Sequence, residues 1–323
     1  MALASSDWKD YKSTTVDETS SNGGPQSWTQ IVSGLAENLF PALTEAEQAA
    51  GGTWYRKLFR RAQSATDAPG YSTYTFVKAP TDADDILTFF EVDDDWTQGD
   101  VTGSERLYGA GSLESDVSSG TEIVVTVEDW SSYPIFADAD KIVLWDGTKE
   151  RIYTVSGSPS PSGDDITLTL STAIAESWSA SNTYVASMYS GGTVEPSVDG
   201  VVETTTSGTW DESAIVPHSK GSYEGTVTLT FTSATAFDAD IDGTSIGSGN
   251  ISSDFEPVNA STSTKYFTIP SSSWGGTWAS AETVEFDLHP PALIFGLLRY
   301  VPAGVSPETG NTATLRTLFQ TST

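Results

Sequence analysis

Short runs in which apolar and polar residues alternate recur along most of the chain, and this period of two predicts strands. Residues 225–232 (Gly-Thr-Val-Thr-Leu-Thr-Phe-Thr) alternate without a break, placing Val227, Leu229 and Phe231 on one face. Similar runs lie at 74–78, 86–92, 122–127, 141–145, 151–155, 165–170, 265–269 and 283–288, with Asp146-Gly147 as a turn signal between two of them. The run at 292–301 is the least polar of the chain and is expected in the core. One helix is predicted. Thr44 and Glu47 have the spacing of a capping box, and Gly51-Gly52 follow Gln48-Ala49-Ala50 as a stop.

No helices separate the strands, which argues against βαβ units and for sandwiches or small barrels. The expected class is mostly β, a multi-module β-sandwich with a short helix. Residues 1–27 are polar and weakly patterned. They read either as an extended N-terminal arm that orders only against a neighbour or as a disordered terminus.

The strand at 53–61 changes this picture, because it carries Arg56, Lys57, Arg60 and Arg61, four of only fifteen basic residues. The whole chain of 323 residues has a formal charge of -29. Cations concentrated in so acidic a chain mark an electrostatic contact, either within the subunit or with an acidic second copy. The same acidity disfavours nucleic acid and anionic membranes as partners. With no cysteine, disulfides, thiolate nucleophiles and zinc–thiolate sites are excluded. No apolar run approaches a membrane span and residues 1–12 lack a signal-peptide core, so synthesis in the cytosol without a membrane anchor is expected.

Two blocks resemble a group of small bacteriophage structural proteins. Residues 38–56 (Asn-Leu-Phe-Pro-Ala-Leu-Thr-Glu-Ala-Glu-Gln-Ala-Ala-Gly-Gly-Thr-Trp-Tyr-Arg) resemble their N-terminal "NLF", acidic helix and "YR" strand. Residues 289–304 resemble their closing strand, which ends in Arg and Val-Pro-Ala-Gly. This chain has Ile-Phe-Gly-Leu-Leu where that group more often shows an aromatic and two arginines. Segments 228–237 and 267–278 are similar to a module of longer members. The resemblance covers about a third of the chain and implies an architecture: residues 28–110 and 280–323 as one sandwich, with 111–192 and 193–279 as two inserted β modules.

Candidate chemistry is sparse. Asp238, Asp240 and Asp242 with Gly243 open like a calcium loop, but its twelfth position is Gly249 instead of a bidentate Glu, and Asp and Gly at a strand end also make turns. No other cofactor is indicated. His218 and His289 sit in no recognisable nucleophile arrangement, and with 44 carboxylates no pair can be singled out as glycosidic. Trp274 and Trp278 read either as core anchors or as a platform for a host-surface glycan.

The expected function is therefore non-enzymatic: a virion structural protein assembled with copies of itself and other virion proteins, in the tail, baseplate or fibre. A capsid decoration protein and a glycan-binding β module are the alternatives. Trp8 and Tyr11 of the arm join the four cations as the expected interface residues.

Overall fold

The computed structural model describes residues 2–306 and 311–321. Residues 1, 307–310 and 322–323, which fall in the expected arm and closing segment, lie outside the described residues. The chain is mostly β, with several sheets and one short α-helix. Strands are numbered along the chain. The frame is an antiparallel sheet in the order β2 (Gly23–Ile31), β1 (Trp8–Thr15), β3 (Gly52–Ala62), β24 (Ala292–Val301) and β5 (Ile86–Glu91). Strands β3 and β24 pair without a break from Ala292 opposite Arg61 to Val301 opposite Gly52.

The second sheet runs β10 (Ser160–Ser162), β11 (Asp165–Ile174), β7 (Gly120–Thr126), β6 (Ala110–Leu113), β12 (Tyr184–Val194), β4 (Gly70–Val77) and β25 (Leu315–Gln320). Strand β8 (Lys141–Trp145) joins it through β12 and carries β9 (Glu150–Thr154). The two sheets stack as a sandwich. Leu58, Phe89, Leu293, Phe295 and Leu297 of the frame share one apolar cluster with Val77 and Val194 of the second sheet. Each fully buried side chain of this size contributes roughly 1.5–3 kcal/mol, so this layer outweighs any single polar contact.

Residues 197–289 form a third sheet, β13 (Ser197–Thr204), β23 (Thr283–His289), β16 (Gly225–Phe231), β17 (Ala236–Ile241) and β18 (Thr244–Asn250). Three small ladders close it: β14 (Gly208–Trp210) with β22 (Trp274–Gly276), β15 (Val216–Pro217) with β21 (Phe267–Thr268), and β19 (Val258–Asn259) with β20 (Thr264–Lys265). The alternation of β16 is realised, with Val227, Leu229 and Phe231 buried in this module's own core. Its first and last residues, Ser197 and His289, are ladder partners.

The helix α1 (Glu45–Ala50) is capped as its sequence predicts: Glu47 N–H donates to Thr44 Oγ1 at 3.3 Å and Thr44 N–H to the Glu47 carboxylate at 2.7 Å. Gly51 ends it at φ +67°, where a Cβ would stand 2.6 Å from the Ala303 nitrogen.

Three expected boundaries change. Within the expected arm, 8–15 and 23–27 are frame strand: β1 pairs with β3 along Trp8–Lys12, and β2 pairs with β1. The 111–192 segment shares its core with Phe90 and Leu298 of the frame and extends the sandwich's second layer, because β12 continues from β6 and β8 into β4. The second insertion runs on past 279, since β23 pairs with β13 and β16 instead of joining the frame.

Candidate functional site: a buried basic strand

Strand β3 is covered on both faces. Arg56 is 3% exposed, Lys57 1%, Arg60 7% and Arg61 0%. Burying a cation is costly unless its donors are matched, and here each cation has partners, although the buried Arg61 Nε–H has none among the described residues. Arg56 forms an ion pair with Glu18 and donates to the carbonyls of Asp17 and Leu39. Arg60 holds Asp10 with two bonds of 2.7 Å and reaches Thr317 Oγ1 of β25 at 3.1 Å. Lys57 donates to the carbonyls of Asp94 and Trp96 in the acidic turn after β5. Arg61 donates to the carbonyls of Ser219 (3.0 Å) and Ser222 (2.7 Å) in the third-sheet module, and its guanidinium lies 5.0 Å from the centre of the Trp28 ring.

The four cations therefore tie the β1–β2 region, the turn at 93–96, the C-terminal strand and the inserted module to one strand. Of the two contacts open from the sequence, the structure takes the one within the subunit, so these side chains are not exposed for a second copy. Tyr11 is likewise buried, its hydroxyl donating to Gln63 Oε1 at 3.2 Å, and Trp8 packs on Phe319.

Burial shifts the two cations that lack a direct carboxylate partner. It draws the Lys57 ammonium down to about 8 against the opposing pull of Asp94, Asp95, Asp93 and Asp100. It also lowers Arg61 to about 10, so that guanidinium stays charged at neutral pH. Asp94, partly buried beside Lys57, is raised by its own desolvation.

His218 helps seat the module, while both partners of His289 lie within it. His218 Nδ1 lies 2.8 Å from Asp67 Oδ2 in the loop between β3 and β4 and its Nε2 2.9 Å from Thr268 Oγ1, while Ser219 N–H donates to Asp67 Oδ1 at 2.7 Å. Asp, His and Thr stand here in the order of a hydrolytic triad. However, Thr268 lies in a ladder strand, its hydroxyl also meets Glu256 at 3.3 Å, and neither cleft described below includes it, so the arrangement reads as a clasp. His289, at the module's last residue, lies between Glu224 Oε1 (2.6 Å) and Asp199 Oδ1 (3.1 Å). Burial opposes its charge, but the hydrogen bonds and charges of Asp199 and Glu224 prevail and raise its pKa.

The calcium expectation is corrected. Asp238 and Asp240 lie on β17 and Asp242 in the turn to β18, where their carboxylates accept from Ser248 Oγ, Gly243 N–H and Thr226 N–H. Asp242 and Gly243 take positive φ, +50° and +76°, as a tight hairpin requires. Among the described residues no group of three or more His, Asp or Glu is placed to hold a metal ion. The glycan platform is corrected as well. Trp278 is 1% exposed and stacks on Phe231 at 4.3 Å, and Trp274 packs edge-on against Trp278 and face-on against Trp210.

Two shallow clefts remain. One, of about 310 Å³, has Phe90 and Trp96 as its floor and Glu91, Asp93, Asp100 and Glu105 around it. The other, of about 480 Å³, lies where the loops at 116–118, 146–149 and 177–182 meet. Among the described residues no helix is long and apolar enough to cross a membrane. No family model, no characterised protein and no solved structure matches the chain.

Proposed function

We propose that this chain is a structural component of a bacteriophage particle, acting as a rigid β body in the tail, baseplate or fibre. The observation that carries this reading is the meeting of the two blocks that resemble phage structural proteins. The first block ends in strand β3, the ladder neighbour of the closing strand of the second, and five of their ten pairs, Gly52–Arg56 with Leu297–Val301, join the two blocks directly. The helix of the first touches the Val-Pro-Ala-Gly end of the second, through Gly304 N–H donating to Gln48 O at 2.9 Å and the close approach of Gly51 to Ala303. Segments far apart in sequence thus form one frame, on which the intervening segments are built.

Quantitative mass spectrometry of purified particles, separated into heads and tails, tests the reading. A few copies travelling with tails are expected. Copies in proportion to the major capsid protein would mean decoration of the head, and absence from both fractions would overturn the virion reading.

A further inference from the structure

The cleft of about 480 Å³ falls within the roughly 300–1,000 Å³ typical of small-ligand sites, and its lining is mostly polar. Its fixed parts are built by bonds between loops distant in sequence and by one local turn. Asp116 Oδ1 accepts from Ala180 N–H (2.8 Å) and Ser179 Oγ (3.1 Å), and the bridge between Val117 and Trp178 pins the two loops together. Asp146 Oδ1 accepts from the backbone of Thr148 and Lys149, and these bonds draw its pKa down to about 2. Asn182 Nδ2 donates to Asp146 O at 3.3 Å.

Those bonds leave a mixed set of polar atoms without a hydrogen-bond partner among the described residues. Asp116 Oδ2 and Asn182 Oδ1 are acceptors, and the Ser118 hydroxyl is both donor and acceptor. Trp178 is 1% exposed, and its Nε1–H is a buried donor with no partner. Leaving such a donor unmatched is costly, so a ligand oxygen that reached it would be favoured. Lys149 lies over the Trp178 ring, 4.3 Å from its centre, and 3.6 Å from Asp146 Oδ2.

The charges narrow the ligand class. Two carboxylates repel phosphates and other polyanions, while Lys149 offsets one of them and disfavours a metal ion. An apolar ligand would strand the polar lining. A neutral polyhydroxyl molecule matches, because each hydroxyl can donate to a carboxylate or amide oxygen and accept from an ammonium or indole N–H. We infer that this cleft is a carbohydrate-binding site, held by Asp116, Ser118, Lys149, Trp178 and Asn182. It lies in a different module from Trp274 and Trp278, and it does not rest on the virion reading.

The indole N–H signals of the ten tryptophans provide the test, with Trp178 assigned through Trp178→Phe. Uniformly labelled protein is titrated with the methyl glycosides of glucose, galactose, mannose, rhamnose and N-acetylglucosamine, and separately with calcium chloride. At least one sugar is expected to move the Trp178 signal saturably. Asp116→Asn, which keeps the Oδ1 acceptor that orders the loop, and Asn182→Ala are each expected to weaken that sugar several-fold, while Trp274→Phe leaves it unchanged. For the loss of one hydrogen bond worth about 1 kcal/mol, roughly fivefold is the expected factor. The inference is overturned if no sugar moves the signal, if calcium alone does, or if folded Asp116→Asn and Asn182→Ala proteins respond as the parent does.

Discussion

Arg60 and Arg61 are consecutive in one strand and point to opposite faces, yet they are held in different ways. Arg60 is chelated by a carboxylate, Asp10, inside the frame. Arg61 has no acidic partner in direct contact and spends its charge on two carbonyl dipoles of a separate module. A carboxylate neutralises a cation, so the first contact is self-contained and partly open to water. Carbonyls only solvate it, so the second depends on their staying in place. The comparison separates a charge used to close a sheet from a charge used to dock a domain.

The largest effect is expected at the docking contact. Arg61→Ala leaves two buried carbonyls without a donor and opens space beside Trp28, a loss of about 3 kcal/mol. Denaturant unfolding should read this loss, with an earlier proteolytic release of residues 197–289. Asp10→Ala sharpens the contrast from the other side. Asp10 is 24% exposed, so water can take over part of its role, and a loss of about 1–2 kcal/mol is expected in the same melts.

Lys57 shares Arg61's face and its reliance on carbonyls, and pH tests it. Its folded pKa, about 8, lies below the ordinary value of 10.5. Between those values the unfolded chain holds more protons than the folded one, so stability rises with pH through this window. The parent should therefore gain on Lys57→Met as pH rises from about 8 toward 10.5, and a constant difference between them would show that burial does not penalise this ammonium. The smallest effect is expected at the acidic hairpin. Asp240→Asn should change stability by no more than about 0.5 kcal/mol, and calcium or a chelator should leave the melting midpoint in place.

Much of this architecture was legible in the sequence. The capping box of the helix and the alternation of β16 are local signals, and local geometry delivers them. The basic strand shows where legibility ends. Alternation assigns Arg56 and Arg60 to one face and Lys57 and Arg61 to the other, but it does not say what covers either. Asp10 and Glu18, the carboxylates that meet Arg60 and Arg56, lie in a polar stretch with too weak an apolar period to read as frame strand. The carbonyls that receive Arg61 leave no mark in the sequence, since every residue has one. Aromatic spacing misleads in the same way at Trp278, because a turn anchor and a sugar platform share a sequence pattern and differ only in what stacks on the ring. Asp116, Trp178 and Asn182 are distant in sequence or lie in loops, and only the folding of two turns onto each other brings them to one cleft.

The pairing of Ser197 with His289 also has a genetic consequence. Ladder partners stand about 5 Å apart, so the module's two ends lie within reach of a two-residue hairpin turn. A recombination event that removes or replaces 197–289 need not re-thread the frame, because the chain leaves the sandwich and returns to it at almost the same point. The module behaves as a cassette. Its replacement must answer the seam as this module does, with a pair of oxygen acceptors for the guanidinium of Arg61 and donors for the carboxylate of Asp67.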